Sequence, residues 1–206
     1  MITGVGFTGK MMSGKDTSAN FLTKWMLLWK GPNFIINRMA FADSLKDFCM
    51  RYLGLTKHQC YDQEGKKEYN EFWGMTNREI LQRVGTEAMR NGFHKDVWAK
   101  ITELKIEKAV NNGEFFIITD VRFPNEAEII RKHGGIVVEI IRPASDVSGI
   151  EGHASEQRLP IDLIDIQYIN DSSLEVLEYK IIVELRDKIK KSWRQNTNTY
   201  TDTVAG

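Results

Sequence analysis

The sequence has few of the features that mark secreted, membrane-spanning or metal-binding proteins. Its only cysteines are Cys49 and Cys60, and neither has other metal-ligating residues at a suitable spacing. Two thiols suit a reducing compartment, so we expect small core residues rather than a disulfide or redox pair. No apolar run approaches the roughly 20 residues of a membrane span, and no signal-like segment precedes the first apolar run. These absences predict a soluble protein of the cytoplasm.

An excess of charge of either sign is also missing. The chain has 28 basic and 28 acidic residues among 206, which gives no footprint for a nucleic-acid or membrane partner. Internal repeats, low-complexity tracts and any obvious Ser-His-Asp or His-Cys arrangement are lacking as well. The length fits one α/β domain with an inserted subdomain, and 42% hydrophobic residues are enough for a core.

Short apolar runs alternate with stretches of helical periodicity. Strands are predicted at 2–7, 34–41, 115–119, 136–141 and 166–169. Helices are predicted at 15–29, 43–53, from Thr76, at 95–110, from Pro124 to the Gly134-Gly135 pair, and from Ser172 onward. Residues 56–72 predict a solvated excursion. Strands alternating with helices indicate an α/β fold, a three-layer parallel sheet of about five strands with helices on both faces.

The strongest motif lies between the first strand and the first helix. Residues 9–17, GKMMSGKDT, fit the pattern G-x-x-x-x-G-K of loops that cradle phosphates. Glycines let the backbone wrap a phosphate chain, Lys15 reaches its outer phosphates, and the helix offers its positive end. Asp16 departs from the usual Ser or Thr, and Thr17 follows one residue later. The alternative is an ordinary tight turn, which the strand–loop–helix context disfavours.

Several charged residues are predicted to join this loop, because ligands of parallel sheets bind at the carboxyl ends of strands. Asp120 ends a strand and resembles a Mg²⁺-positioning acid, with a helix cap as the alternative. Arg122 could reach a phosphate or pair with Glu126. The helix after Thr76 carries three arginines that bind phosphate or form a solvated face, namely Arg78, Arg83 and Arg90.

Six motifs together resemble the phage-type deoxynucleoside monophosphate kinases. In chain order they are GKMMSGKDT at 9–17, FADSLK at 41–46, REILQRVGTE at 78–87, DVW at 96–98, ITDVRFPNE at 118–126 and SSLE at 172–175. They cover most of residues 2–190, and the first and fifth are the most specific. Met11-Met12 replaces a position that is often basic in the family, and Ser44 one that is often Pro.

The resemblance implies a kinase of the P-loop type that uses ATP and Mg²⁺ to phosphorylate a deoxynucleoside monophosphate. It implies catalytic roles for Lys15, Asp16, Asp120 and Arg122. The ATP site would comprise Gly9, Ser13, Gly14, Lys15, Asp16, Thr17 and Arg142. The metal would lie near Asp16, Thr17 and Asp120, held directly or through water. The acceptor site would comprise Asp43, Lys46, Arg78, Gln82 and Arg90.

The resemblance also implies a division of the chain. Residues 1–194 would form a single kinase domain with a helical acceptor-binding insertion at about 43–112 and a lid-like loop at about 143–160. The polar composition of residues 195–206, which match none of the family's motifs, predicts a flexible tail. The partners would be the two small substrates, and neither a nucleic acid nor a membrane. A homodimer remains an open alternative. The location would be the cytoplasm, or the host cytoplasm if the protein is viral.

Two other functions remain open at this stage. One is a kinase for another small acceptor, such as dephospho-coenzyme A, whose hydroxyl would need a carboxylate base. The other is an ATPase or switch module that acts on a macromolecule. The sequence has no Asn-Lys-x-Asp motif for reading guanine. ADP release with a panel of acceptors distinguishes the three.

Overall fold

A computed structural model of the protein describes residues 1–143 and 158–201, with side chains as far as 195. The described chain divides into two compact units. The first, here called the sheet unit, comprises Met1–Met39 and the residues from Ile106 onward. The second, the helical unit, comprises Ala40–Lys105.

The elements alternate along the chain much as the apolar pattern predicts. The strands are β1 (Gly4–Thr8), β2 (Ile36–Met39), β3 (Tyr69–Asn70), β4 (Met75–Thr76), β5 (Phe115–Val121), β6 (Ile136–Ile141) and β7 (Ile166–Ile169). The helices are α1 (Lys15–Lys30), α2 (Asp43–Tyr52), α3 (Lys57–Tyr61), α4 (Gln63–Lys67), α5 (Asn77–Gln82), α6 (Val97–Asn111), α7 (Pro124–Lys132), α8 (Leu174–Tyr179) and α9 (Arg186–Thr201). Two π-helical segments, Arg83–Asn91 and Lys180–Leu185, extend α5 and α8, and Ile161–Leu163 forms a 3₁₀ turn.

The sheet unit is built on five strands in the order β2-β5-β1-β6-β7. Every neighbouring pair in this sheet is parallel. The parallel α/β fold class is therefore confirmed. Parallel order brings the carboxyl ends of all five strands to one edge, where β1 runs into loop 9–17 and β5 ends near Asp120.

One face of the sheet packs on α1 and on the continuous helix formed by α8, its π-helical extension and α9. Alternate strand residues such as Phe7 and Ile117 are fully buried there against Leu22, Met26 and Leu185. Each such side chain contributes about 1.5–3 kcal/mol by leaving water. The helix α7 covers the opposite face, where a Cβ on Gly6 would overlap the side chain of Ile130. The residues at the carboxyl ends of the strands are therefore supported by a well-packed, buried core.

The helical unit has a small core of its own. Cys49, Leu55, Cys60 and Ile80 are buried together, and both cysteines are free thiols. This agrees with the expectation that they are core residues. Burial raises the pKa of Cys49 to about 12, so the thiol stays protonated at neutral pH.

Residues 56–72 are more ordered than the sequence predicts. They contain α3, α4 and β3, and most of these residues are exposed, as expected for a solvated segment. Thr56 caps α3 through a reciprocal capping box with Gln59, with hydrogen bonds of 2.8 and 3.2 Å. Polar side chains at a helix end, such as Thr56 and Gln59, hydrogen-bond the end amides while still facing solvent, so the segment is both exposed and helical.

The helix from Thr76 is confirmed, with its predicted capping box to Glu79. From Arg83 it continues as a π-helix, in which Trp98 Nε1 donates a hydrogen bond of 2.9 Å to the carbonyl of Gly85. A side chain that takes a carbonyl from the helical ladder favours such a widened turn. The seven-residue spacing of Arg83 and Arg90 therefore no longer places them on one face as it would in an α-helix.

The last helix begins one residue later than expected. Ser173, not Ser172, is the N-cap of α8. The helix then continues through α9 to Thr201 and so enters the segment 195–206 predicted as a flexible tail. Trp193 of α9 donates a 2.8 Å hydrogen bond to the carbonyl of Ile2, and a helix docked in this way propagates at little cost.

Two predicted features lie largely or partly outside the described residues. The predicted lid-like loop at 143–160 is described only at its two ends, and the tail only as far as 201. Among the helices that the structure does describe, none has the length and apolarity needed to cross a membrane.

Candidate active site

The loop between β1 and α1 depends on glycine at both ends. Gly9 and Gly14 adopt positive φ values of 135° and 108°. A Cβ on Gly9 would overlap the carbonyl oxygen of Ile140, and one on Gly14 would lie 2.8 Å from Nδ2 of Asn170. Only glycine tolerates both the conformation and the close approach. The loop thus has the tight, backbone-lined form that the motif predicts.

The amino end of α1 presents unused backbone donors at the end of this loop. Gly14 is the N-cap and has no side chain with which to cap the helix. The first helical hydrogen bond runs from the amide of Ser18 to the carbonyl of Gly14, at 2.9 Å. The amides of Lys15, Asp16 and Thr17 therefore have no acceptor within the helix. Such amides, together with the helix dipole, form an anion-binding site.

Lys15 folds back over the loop. Its Nζ donates to the carbonyls of Gly9 and Lys10 at 2.7 and 2.6 Å. Burial, followed by the charge of Arg122, lowers the pKa of Lys15 from 10.5 to about 8, against the opposing effect of Asp16 and Asp120. The charges of the other three predicted catalytic residues, Asp16, Asp120 and Arg122, therefore all act on Lys15. The two carbonyl hydrogen bonds also favour the ammonium form.

Asp16 is engaged by a residue that the sequence did not single out. Arg38 of β2 contacts its Oδ1 at 3.1 Å, and the same guanidinium donates to the side chain of Asn20. The Asp16 side chain is 78% exposed, so this pair is screened by solvent and adds little stability. One indication of this role was present in the sequence, because Arg38 is the only basic residue within the largely apolar run 34–41.

The turn after β5 fixes Arg122 and clarifies the role of Glu126. Asp120 is the penultimate residue of β5, which ends at Val121. The buried carboxylate of Glu126 accepts hydrogen bonds from the amides of Arg122 (2.8 Å) and Phe123 (3.1 Å). Glu126 thus caps α7 and holds the backbone of the turn, while the side chain of Arg122 is exposed.

The donor set near the loop suits Mg²⁺ held jointly with phosphate. In residues 1–143 and 158–201 no group of three or more His, Cys, Asp or Glu side chains could hold a metal ion alone. Mg²⁺ commonly binds through one or two carboxylates, waters and substrate phosphates rather than in an all-protein cage. Asp16 and Thr17 line the cleft beside the loop, and Asp120 acts electrostatically on Lys15. These oxygen donors fit such a shared ion.

A cleft of about 420 Å³ opens beside the loop. Its lining residues are Met12, Gly14, Lys15, Asp16, Thr17, Arg142, Asn170, Ser172, Leu174 and Leu177. Arg142 was expected at this position, and its Nη1 lies 3.5 Å from the Met12 carbonyl. The segment after β7 was missed as part of the site. Asn170 follows the carboxyl end of a parallel strand, which is the same signal that identified Asp120.

Ser13 lies in the floor of the loop. It is fully buried, and its carbonyl accepts a 2.8 Å hydrogen bond from Nδ2 of Asn170. Its Oγ has no hydrogen-bond partner among the described residues. The predicted ATP residue Ser13 thus contacts the segment after β7 through its backbone.

In the helical unit, Asp43 and Lys46 meet at Tyr61. Asp43 accepts hydrogen bonds from the amide of Ala40 at 2.7 Å and from the hydroxyl of Tyr61 at 3.1 Å. Lys46 Nζ lies 4.0 Å from the centre of the Tyr61 ring. Burial, followed by the Asp43 charge, raises the pKa of Tyr61, which stays a hydroxyl donor. Sequence analysis did not identify Tyr61, because α3 was taken for a solvated segment.

The remaining acceptor candidates lie on one continuous helix. Arg78 donates a 3.0 Å hydrogen bond to the side chain of Gln63, and Gln82 is exposed at the end of α5. Arg90 is half-buried in the last turn of the π-helical segment. These residues belong to the same compact unit as Asp43 and Lys46. Their binding of an acceptor stays a prediction.

Comparison with known proteins gives a consistent family. Residues 36–181 match the family described as Deoxynucleotide monophosphate kinase. A protein of Acanthamoeba polyphaga mimivirus that carries this kinase name is 32% identical over 190 residues, which cover 86% of this chain and 93% of the viral protein. The deoxynucleoside-5'-monophosphate kinase of Escherichia phage T5 is 33% identical, with coverage of 81% and 88%.

Among solved structures, the dephospho-CoA kinase from Campylobacter jejuni has the same fold. Its TM-score is 0.50 at 17% identity, with 93% of this chain and 99% of that chain covered. At this low sequence identity the similarity indicates a shared fold, and it says nothing about the substrate. The matched family covers most of the chain, including β2, β5 and the segment after β7. The chain belongs to the deoxynucleotide monophosphate kinase family.

Proposed function

We propose that this protein transfers the γ-phosphoryl group of ATP to a deoxynucleoside monophosphate, giving ADP and the diphosphate. Family membership supports the reaction class. The observation that carries the proposal is the free amino end of α1, with Lys15 folded across the loop that precedes it. A triphosphate supplies the acceptors that these donors lack.

The acceptor chemistry needs no general base. The second pKa of a phosphate monoester is near 6, so the attacking oxygen is already largely anionic at neutral pH. The barrier lies in bringing two polyanions into line, which cations must screen. Lys15 would release the carbonyls of Gly9 and Lys10 and bind the outer phosphates. Arg122 would bridge the donor and the acceptor.

The finer assignments follow the donor set of the site. Mg²⁺ would be held by Asp16, Thr17 and Asp120, directly or through water. When bound, the metal would neutralise the negative charge that develops on the phosphate oxygens during transfer. Arg142, beside the apolar wall of Leu174 and Leu177, would pack against the adenine.

The acceptor would bind to the helical unit. Asp43, Lys46, Arg78, Gln82 and Arg90 are proposed as its site. Within that site Asp43 would act by fixing Tyr61 and the start of α2, because both of its carboxylate oxygens accept hydrogen bonds from protein groups. A single domain with an insertion at about 43–112 and a cytoplasmic location belong to the same proposal.

An acceptor panel tests the reaction. ADP release should require one of the deoxynucleoside monophosphates. Ribonucleoside monophosphates and dephospho-coenzyme A are tested separately as alternative acceptors. The variant Lys15→Ala should lose transfer while keeping its fold. Lys24→Ala, at an exposed lysine of the same helix, is the matched control and should keep full activity. Transfer only to dephospho-coenzyme A, or hydrolysis that needs no acceptor, would refute the proposed substrate class.

A further inference from the structure

Asn170 links the end of β7 to the phosphate loop. Its backbone amide donates to the carbonyl of Ile141 at 2.6 Å, which ties it to the end of β6. Its side-chain Nδ2 donates to the carbonyl of Ser13 at 2.8 Å. One residue thus joins two strand ends to the floor of the loop, and it also lines the cleft.

This contact fixes the orientation of one peptide group. In a planar trans peptide, the carbonyl of one residue and the N–H of the next point in opposite directions. With the Ser13 carbonyl held by Asn170, the N–H of Gly14 must point away from Asn170. The close approach needs glycine, because a Cβ on Gly14 would lie 2.8 Å from Nδ2 and 3.3 Å from Leu177.

We propose that Asn170 is a positioning residue for the phosphate loop. It holds the Ser13–Gly14 peptide so that the Gly14 amide joins those of Lys15, Asp16 and Thr17 in binding the donor phosphates. This inference rests on the proposed function. In this role Asn170 acts on the triphosphate through the backbone of the loop, because its Nδ2 donates to the Ser13 carbonyl.

Two substitutions separate geometry from packing. Asn170→Ala removes the donor. Asn170→Asp keeps the shape but replaces the donor with a carboxylate that repels both the Ser13 carbonyl and the phosphates. Gln167→Ala is the matched control, because Gln167 lies on β7 and its Nε2 also donates one 2.8 Å hydrogen bond, to Glu139. Melting temperatures of the three variants check that each is folded.

The decisive measurement compares ATP with inorganic tripolyphosphate, which has the phosphates and no base. Dissociation constants are measured by calorimetry with Mg²⁺ present. Asn170→Ala should weaken both ligands by the same factor, about tenfold, which is the scale of one hydrogen bond to a charged group. Asn170→Asp should weaken both further, Gln167→Ala should change neither, and the KM for the acceptor should be unchanged in all three variants.

Each other outcome is informative. If Asn170→Ala weakens ATP but leaves tripolyphosphate unchanged, Asn170 reads the base and the inference is wrong. Unchanged binding of both ligands in both Asn170 variants also overturns it. If the unmodified protein binds neither ligand, the proposed function fails as well, so the two failures are distinguishable.

Discussion

Lys15 makes the stability of the ligand-free protein depend on pH in a way that can be calculated. Burial and Arg122 lower its pKa from 10.5 to about 8 in the folded protein. A difference of about 2.5 units corresponds to ~3 kcal/mol of destabilisation while the ammonium stays charged. Because the folded pKa lies below the unfolded one, the folded state loses its proton first as the pH rises.

The sign of the effect follows from this order. Below pH 8 both states hold the proton, and the full penalty applies. Between about pH 8 and 10.5 the unfolded state binds more protons, so the free energy of unfolding rises with pH. Relative to Lys15→Met, the unmodified protein should gain about 2–3 kcal/mol between pH 7 and pH 10. The hydrogen bonds that Lys15 donates to the carbonyls of Gly9 and Lys10 favour the charged form, so we expect a gain at the lower end of this range.

Urea unfolding of the ligand-free protein at pH 7, 8, 9 and 10 measures this gain. The difference between the unmodified protein and Lys15→Met removes the contribution of all other titrating groups. Lys24→Met, at an exposed position of α1, should show no such trend. A difference that stays flat from pH 7 to pH 10 would refute the reasoning that Lys15 is a poorly solvated charge.

Three further predictions follow from the same site. Binding of ATP with Mg²⁺ at pH 8.5 should take up protons, because nearby phosphates raise the pKa of Lys15. Calorimetry in two buffers of different ionisation enthalpy measures this uptake, and binding without proton uptake would contradict the prediction. Gly14→Ala should destabilise the protein by ~2 kcal/mol or more in urea titrations, whereas Gly113→Ala, with a φ of 72° but no atom within 4 Å of its Cβ, should cost only ~1 kcal/mol. Glu126→Ala should cost ~1–3 kcal/mol by leaving two amides of the β5–α7 turn without their acceptor, and Glu126→Gln should keep most of that stability in the same assay.

Local pattern was enough for most of the fold. β6 and β7 have their predicted bounds, and α1 and α2 differ from theirs by one residue at the end. These segments carry a strong apolar period, and their own side chains decide which face is buried. The capping box at Thr76 was also readable, since both of its members lie within one turn of helix.

Prediction failed where the deciding partner is distant in sequence. The widening of the helix at Arg83 accompanies a hydrogen bond from Trp98, thirteen residues beyond Gly85. The helices in segment 56–72 were missed for a different reason, because each has only five residues and too short an apolar period to be recognised. Arg38 was missed because its contact with Asp16 depends on where β2 lies beside the loop.

The sequence by itself determined that a glycine-bounded, lysine-containing loop follows a buried strand and opens a helix, because these features are local. Asp120 and Arg142 were expected near that loop, whereas the contacts of Arg38 and Asn170 with it were decided by the tertiary structure alone. The strand order β2-β5-β1-β6-β7 places β5 and β6 on either side of β1, with β7 next to β6. It thereby places Asp120, Arg142 and Asn170 near residues more than a hundred positions earlier in the chain. Contacts at such separations depend on sheet order, which local periodicity does not encode.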